Sequence, residues 1–578
     1  MSKPERITTL PFSLRDLNNW GQGNSKYTNW PSVYCLNDAM RIYIGETGDL
    51  KSRLEQHKKH PEKSTLIKAS LIIDNKFNKS ACLDLESHLI RYFAADNKYR
   101  VMNLNSGISE SNYYQRPEYK LTFDEIFEEL YSKGFLTRTV PELVNSLLFK
   151  YSPFKSLNFD QELAVSEILE TLVEDAFKEA KERVIVSGDP GTGKTVVAVY
   201  LMKLLADIRN QDPIEAIDDN SRFAEFFIGD NARALKTYQK VALLVPQQSL
   251  RKTLESVFKS TPGLSKDMVI GPLDLGKPGS EFDLILVDES HRLQVRNNQS
   301  GGTGNKRFKE INIDFFGADS PKYTQLDWLN KRANHQVLFM DSFQTVFNGD
   351  LPFAKMEEIQ QNAKAQNRLQ RLRSQLRLMA GDDYIDYVGS VLKLEDVEAP
   401  IDFENYEFVF YDKFTDMRNE IFNKDKEFGL ARVVAGYAWD WVSRDNPDQP
   451  DIEIEGLKLF WNRADKDWIN SKTSLEEVGS IHVIQGYDLN YAGVVIGREL
   501  RFNPETRSLE FDMNNYFDVR GRRRNIAAQE ESFGDDHFLW LAQNIYRVLL
   551  TRGIRGTFVY VCDHALREEL RKYFKTLK

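Results

Sequence analysis

The sequence predicts an α/β protein in two parts: a small α/β head and a larger body built on parallel sheets. Three observations lead there. The chain has 578 residues, more than one hydrophobic core holds. From about residue 151 its apolar strands lose polar alternation, as in RVIVSG, VALLVP, FDLILVDE, HQVLFMD, GVVIG and GTFVYVC. Strands apolar on both faces fit a parallel sheet covered by helices, and helical stretches such as TVVAVYLMKLLADIR lie between them. Before residue 108 the pattern differs: SVYCL, RIYIG and ASLIIDN alternate with the helical DLKSRLEQH and ACLDLESHLIRYFA.

In chain order, residues 1–30 read as a polar lead-in, 31–107 as the head and 108–150 as a connector carrying the amphipathic FDEIFEELYSKGF. Residues 151–350 and 351–578 read as two sheet lobes. Polar stretches at 208–238 and 292–324 read as surface insertions, the second with a flexible QSGGTGNK loop.

Composition excludes several classes. Hydrophobic residues make up 41% and charged residues 28%, ordinary for a globular protein. No apolar run approaches a membrane span and no signal-peptide layout opens the chain, so no membrane partner and a cytoplasmic location are expected. Cys35, Cys82 and Cys562 are scattered without a CxxC pair, which fits a reducing compartment and argues against a zinc site. The net charge is −9, yet residues 1–120 hold 18 Lys+Arg against 13 Asp+Glu. A basic head on an acidic body is compatible with a head that meets phosphates.

The body carries the strongest motif. GDPGTGKT, residues 188–195, fits G-x-x-x-x-G-K-[ST] between an apolar strand and a helix, the context this motif requires. Gly188, Asp189, Pro190, Gly191, Thr192 and Gly193 form the turn whose backbone N–H groups cradle phosphates. Lys194 is expected to reach the β and γ phosphates of ATP, and Thr195 to ligate Mg²⁺. LILVDESH supplies the second element such a site needs. Asp288, closing an apolar strand, is placed to hold Mg²⁺, and Glu289 to polarise the attacking water.

Further segments follow in order: Asp341-Ser342-Phe343-Gln344 after HQVLFM, Gln375 and Arg377 in LRSQLR, His482, Gln485 and Gly486 in GSIHVIQGYDL, and Arg547 and Arg552 in NIYRVLLTRGIRG. Together they resemble the ordered motifs of a superfamily 1 helicase core, most closely the group similar to the Schlafen helicases. The resemblance covers roughly 150–578. It implies a two-lobed RecA-like fold, with Gln161 of LNFDQELAV reading adenine. It also implies that Gln344, Gln485 and Gly486 line the nucleotide, and that Arg377 and Arg552 bring positive charge from the second lobe. Arg547 and Arg555 are near enough to compete with Arg552.

The head holds a second constellation. Asp49 can cap DLKSRLEQH, so that Arg53 and His57, four residues apart, project from one helix face. Glu86 shares a helical stripe with Leu83, Leu89, Ile90 and Phe93, where a carboxylate needs a partner, either a metal ion or a buried Arg or Lys. Tyr34 and Tyr43 sit in neighbouring strand segments and can face one cleft. The order SVY, YIG, Arg53, His57, Glu86 and an asparagine at 103 or 105 resembles the GIY-YIG nuclease family. The usual Gly-Ile-Tyr is here Ser32-Val33-Tyr34, which keeps only the tyrosine. That resemblance implies that Glu86 holds one Mg²⁺ or Mn²⁺ and Tyr34 or a nearby group helps activate water. Arg53 would then stabilise the phosphorane, with His57 and Tyr43 assisting.

The combined expectation is an ATP-driven motor on nucleic acid, with DNA favoured, carrying a metal-dependent endonuclease head. Fusions of this kind suggest defence against phage or DNA processing. The alternatives are an ATPase switch that senses nucleic acid and licenses the nuclease without unwinding, and a binding module with an inactive head.

Overall fold

The computed structural model describes residues 6–103, 113–144, 146–154, 157–178, 182–210, 223–296, 302–341, 344–347, 349–372, 378–397, 400–464, 468–484, 487–518 and 535–578. They fall into two compact units. The first comprises Met1–Lys178, Thr195–Leu243 and Arg251–Ile270; the second comprises Glu179–Lys194, Leu244–Leu250 and Gly271–Lys578.

The first unit contains the head, a five-stranded sheet. Its strands are β1 (Ile7–Pro11), β2 (Ser32–Asn37), β3 (Arg41–Thr47), β4 (Lys68–Ile72) and β5 (Arg100–Val101), in the order β1-β4-β2-β3-β5. All pairings are antiparallel except β3 with β5. Period-2 alternation sorts the side chains onto two faces. Val33, Cys35, Ile42 and Ile44 pack toward helix α3 (Lys79–Asp96), while Tyr34 and Leu36 pack toward α1 (Leu14–Gly21) and α2 (Leu50–Lys59). Asp49 caps α2, accepting from the Ser52 N–H, and Asn78 caps α3 in the same way through Ala81.

Two expectations about the head's borders are corrected. The described part of the expected lead-in, residues 6–30, is not loose: β1 pairs with β4 along its whole length, and α1 buries Leu17. The stretch at 108–150 is not merely a connector either. Helix α4 (Arg116–Ser132) sends Tyr119, Phe123, Ile126, Phe127 and Leu130 into the head core against α3. Flanked by the sheet on one side and α4 on the other, α3 is buried on most of its circumference. Leu85, Leu89, Ile90 and Phe93 are fully buried, whereas Leu83 and Glu86 lie at the partly exposed edge. Helix Phe159–Asp175 and the strands β7 (Val241–Leu244, but for its last residue) and β8 (Val269–Ile270) also belong to this unit.

The second unit contains β6 (Glu182–Gly188), β9 (Phe282–Val287), β10 (Ala333–Met340) and β11 (Leu369–Leu372), parallel in the order β11-β6-β10-β9. It also contains a second all-parallel sheet. The strands are β12 (Glu407–Phe410), β13 (Ala431–Ala435), β16 (Val478–Ser480), β17 (Leu489–Ile496), β20 (Gly553–Val561) and β21 (Thr576–Leu577), in the order β16-β13-β17-β20-β12-β21. Between them run the hairpins β14–β15 (Ile452–Ile454, Leu457–Leu459) and β18–β19 (Leu500–Asn503, Ser508–Phe511). The doubly apolar strands of the sequence are thus parallel, as expected. The stretch read as a flexible loop near residue 302 starts the helix Gly302–Phe316, which buries Phe308 and Ile311. Among the described residues no helix is long and apolar enough to cross a membrane.

Candidate functional site

The nucleotide loop follows β6. Gly191 and Gly193 adopt φ of 93° and 85°, conformations costly to residues with a Cβ. A Cβ on Gly188 would come within 2.6 Å of the Thr192 hydroxyl, so the turn closes only around glycine. Thr192 accordingly donates both its N–H and its hydroxyl to the Asp189 carbonyl. Lys194, buried at the start of helix Lys194–Asn210, curls its ammonium into this turn. There it donates to the carbonyls of Gly188 (2.5 Å) and Asp189 (3.0 Å) and to Asp341 Oδ2 (3.3 Å). A buried ammonium held by two carbonyls and one carboxylate sits where phosphate oxygens would be its better partners. The residues present therefore fit a nucleotide triphosphate. Thr195 follows Lys194 as the second residue of the same helix.

The carboxylates line up at the ends of β9 and β10. Asp288 is fully buried, its N–H bonded to the Leu244 carbonyl and its Oδ1 accepting from the Glu289 N–H. Glu289 adopts a left-handed φ of 50°, a sparsely populated conformation for a non-glycine residue that turns its side chain away from the strand. Its Oε2 lies 3.1 Å from His291 Nε2. Burial pushes the Glu289 carboxyl up, but His291, Lys194 and Arg292 outweigh it and hold the group well below the usual carboxylate range. His291 Nδ1 in turn accepts the Asp341 N–H, and Gln344 Nε2 donates to Asp341 Oδ2 at 2.7 Å. Lys194, Asp341, His291 and Glu289 thus form one continuous polar chain. The motif order had placed Asp341 and Gln344 here; His291 had no signal beyond its place after Glu289.

Arg552 and Arg547 sit in different surroundings. Arg552 is buried in its own lobe, where Nη1 donates to the Tyr487 carbonyl. Arg547, four residues before Thr551 on helix Asp535–Leu550, has Nη2 3.7 Å from Asp189 Oδ1 of the nucleotide loop. Gln161 is buried and closes a capping box with Asn158 at the start of helix Phe159–Asp175, its Oε1 accepting the Asn158 N–H. Arg377, Gln485 and Gly486 lie outside the described residues, as does Asn105.

In the head, the structure gathers Tyr34, Tyr43 and His57. The Tyr34 hydroxyl lies 2.7 Å from His57 Nε2, and the ring of Tyr43 lies 6.4 Å from Tyr34 and 5.0 Å from His57. Register explains the glycine of YIG. Gly45 is directly opposite Tyr34 across the β2–β3 ladder, and a Cβ there would come within 2.3 Å of the Tyr34 hydroxyl. Burial, Lys63 and Arg53 depress His57 to about 3, so its ring is neutral. Burial pushes the Tyr34 phenol well above its usual value, with Arg53 hydrogen-bonded to it opposing that push. Arg53 is exposed at the rim and also donates to Gln56. Asn103 is buried: it accepts from the Ile44 N–H at 3.0 Å and donates to the Ile44 carbonyl at 2.8 Å, clamping the YIG strand.

Glu86 is electrostatically coupled to this cluster, but its nearest partner is β3. Its carboxyl accepts the Glu46 N–H, and burial together with the Glu46 charge pushes it up to about 8. Glu46 pairs through Oε1 with Lys79, while its Oε2 is buried and has no hydrogen-bond partner. An orphaned carboxylate oxygen beside a second, desolvated carboxyl fits a cation. Among the described residues no group of three or more His, Cys, Asp or Glu stands ready to hold a metal. The fit therefore rests on this pair. The YIG alternation could have flagged Glu46, since 42, 44 and 46 share the α3 face.

Comparison with known proteins decides the body. A model of the Schlafen group 3 DNA/RNA helicase domain matches residues 181–563, more than half of the chain. The chain belongs to this family. Its body is a helicase-type ATPase core, and the polar chain from Lys194 to Glu289 lies within the Schlafen match; the head lies outside it. An uncharacterized protein of Saccharomyces cerevisiae is 25% identical over 415 residues, covering 67% of this chain and 83% of its own length. Among solved structures, the Pif1 helicase from Bacteroides in complex with ADP-AlF3 and ssDNA shares 10% identity over 70% of this chain and 92% of its own, with a TM-score of 0.23.

Proposed function

We propose that this Schlafen group 3 chain is an ATP-driven motor on nucleic acid, DNA in the first instance, whose head is a metal-dependent endonuclease of the GIY-YIG type. The observation that carries the nuclease half is the Tyr34 hydroxyl at 2.7 Å from a neutral His57 ring, beside Tyr43 and Arg53. The Tyr34 hydroxyl donates to the neutral imidazole at Nε2, which turns the phenol so that its oxygen accepts a hydrogen bond from the attacking water. Arg53, at the open rim, meets the charge that develops on a scissile phosphate. Glu86 and Glu46 would hold the divalent ion, Mg²⁺ or Mn²⁺, which when bound polarises that phosphate. Lys79, paired with Glu46 now, would be released to solvent or to the nucleic-acid backbone.

In the motor, Lys194 exchanges its loop carbonyls and Asp341 for phosphate oxygens. Asp288 and Thr195 would hold Mg²⁺, which neutralises charge on the transferring phosphoryl group. Glu289, kept ionised and aimed by His291, orients the attacking water. Coupling a cutting head to a motor suits the removal of foreign DNA or the processing of DNA ends, and that is the setting we propose. The test is to incubate the purified chain with single-stranded, duplex and forked DNA, with and without ATP and Mg²⁺. Metal-dependent cleavage with DNA-stimulated ATP turnover is expected; turnover without any cleavage would remove the nuclease half.

A further inference from the structure

A cavity of about 650 Å³ opens on the head where α3 and α4 both end. It is lined by Asn37 of β2, Lys68 of β4, Lys98 and Tyr99 after α3, and Lys133 and Phe135 after α4. The cavity is separate from the tyrosine–histidine cluster. Asn37 lies three residues beyond Tyr34, about 10 Å along β2, and alternation turns it to the opposite face. The first observation that singles it out is an orphaned acceptor. Asn37 is only 4% exposed, its Nδ2 donates to the Asp38 carbonyl at 3.0 Å, and its Oδ1 has no partner. That bond fixes the amide the right way round, because the flipped amide would set two oxygens against each other. The second observation is uncompensated charge. Lys68, directly across the β2–β4 ladder from Asn37, and Lys98 are exposed and, among the described residues, pair with no carboxylate. Lys98 gives one N–H to the Gly134 carbonyl, and an ammonium has three. Lys133 is committed to Glu129 and the Ile7 carbonyl.

We propose that this cavity binds a deoxynucleoside monophosphate unit, free or within a strand: Lys68 and Lys98 take the phosphate, and Asn37 Oδ1 accepts an N–H from the base. Each part of the ligand answers one part of the site. Two ammonium groups with no carboxylate to share them call for an anion with several oxygens. A buried acceptor without a donor calls for an N–H, which a phosphate dianion lacks and every base carries. Tyr99 and Phe135 give the base ring an apolar wall, and the volume is that of a small-molecule site. Lys68 and Asn37 are cross-strand neighbours, with Cβ atoms about 5 Å apart, so a turn of the flexible lysine stem onto the phosphate uncovers Oδ1. The proposal goes beyond the nuclease and ATPase readings, since none of these residues serves either site.

The experiment is lysine-acetylation footprinting of the full chain in EDTA, with mass spectrometry reading each lysine separately. The ligands are deoxyribose 5-phosphate, the four deoxynucleoside 5′-monophosphates and a thymidine octamer. At least one monophosphate is expected to protect both Lys68 and Lys98 at a concentration about tenfold below that of deoxyribose 5-phosphate, the worth of the base hydrogen bond. Lys68→Ala raises the concentration that half-protects Lys98 by about fivefold, the worth of one exposed charge. Asn37→Leu removes the advantage of the base. Because Asn37 is buried, the same comparison is made from the ligand side, with the base N–H replaced by N–CH₃, which requires no variant to fold. Protection by the octamer at lower concentration than by free monophosphate assigns a strand as the source, and the reverse order assigns a free nucleotide. Protection of neither lysine by any nucleotide, or equal protection by deoxyribose 5-phosphate and all four monophosphates, would overturn the proposal. With metal absent and Lys194 read separately, the nuclease and ATPase readings stand either way.

Discussion

The Tyr34 hydroxyl hydrogen-bonds His57 Nε2 at 2.7 Å, above a glycine that leaves room for it. Tyr34→Phe removes only the hydroxyl from a fully buried ring, so the fold is expected to survive. Strand cleavage is expected to fall by about 10²-fold or more, the worth of a positioned proton-transfer group. A variant that melts as wild type and still cuts at the wild-type rate would exclude Tyr34 from the chemistry.

Gly45→Ala should act on the same contact from the other strand. Its Cβ would lie 2.3 Å from the Tyr34 hydroxyl, so the ring must move. Overpacking of this kind costs about 1–3 kcal/mol. Thermal unfolding of the head is expected to shift downward and cleavage to be lost together. The combination of normal melting and normal cutting would show that the ring is not confined there.

The head should bind its metal in a pH-dependent way. Glu86 is pushed up to about 8, so below that value the metal-free carboxyl keeps its proton, which a metal must displace. Mn²⁺ affinity is expected to rise about tenfold per pH unit from pH 6 to 8 and then level off. His57, depressed to about 3, contributes no step near pH 6.5. The sign for stability is opposite. The folded group is protonated between about 4.5 and 8 where the unfolded one is ionised, so the metal-free head loses stability as pH rises through that window. Glu86→Gln removes that loss and is expected to stabilise the metal-free protein at pH 9 by up to a few kcal/mol, but not at pH 4. Flat Mn²⁺ titrations across pH 6–8 would contradict the assignment.

In the motor, Lys194→Ala removes the cation that holds the loop carbonyls and Asp341, and ATP turnover is expected to vanish. Glu289→Gln keeps the size of the side chain and should still bind ATP, with turnover reduced by about 10²-fold or more. Steady-state turnover with a separate binding titration distinguishes the two. Glu289→Gln turning over as wild type would mean another group orients the water.

Arg552→Ala should behave as a structural lesion. Its guanidinium is buried and bonded to the Tyr487 carbonyl, and truncation of such a group costs several kcal/mol. A lowered melting temperature in the absence of nucleotide is the expected reading. An unchanged melt with a large loss of turnover would instead restore Arg552 to the phosphate-facing role that the motif order implies.

Much of this was legible in the sequence because single residue types carried it. The parallel sheets followed from strands without alternation, and the nucleotide loop from glycines that no other residue replaces at φ of 93° and 85°. In the head, the ordered set named Tyr34, Tyr43 and His57, which lie together, and Asn103, whose hydrogen bonds clamp the YIG strand. What was not legible depends on long-range placement. Residues 7–11 look like part of a polar lead-in until β4 pairs with them, and α4 looks like a connector until its aromatic side chains enter the head core. Arg547 lies on helix Asp535–Leu550 and Arg552 two residues beyond its end, so their directions were set by where the helix stops and how it packs, not by composition. Glu46 shares the α3 face with Ile42 and Ile44 by alternation, but its approach to Glu86, a residue of a distant helix, is what gives it meaning.

The central claim, two engines in one chain with separate sites, is tested most directly by reading DNA cleavage and ATP turnover in the same reaction. The reaction is run for wild type, Glu86→Gln and Lys194→Ala, with Mg²⁺ present. Glu86→Gln is expected to lose cleavage while DNA-stimulated turnover stays within about twofold of wild type, because Lys194 bonds Gly188, Asp189 and Asp341 and the substitution alters only a carboxyl of the head. Lys194→Ala is expected to lose turnover and to retain cleavage only to the extent that the head cuts without the motor. Metal-dependent cleavage persisting undiminished in Glu86→Gln would contradict the account.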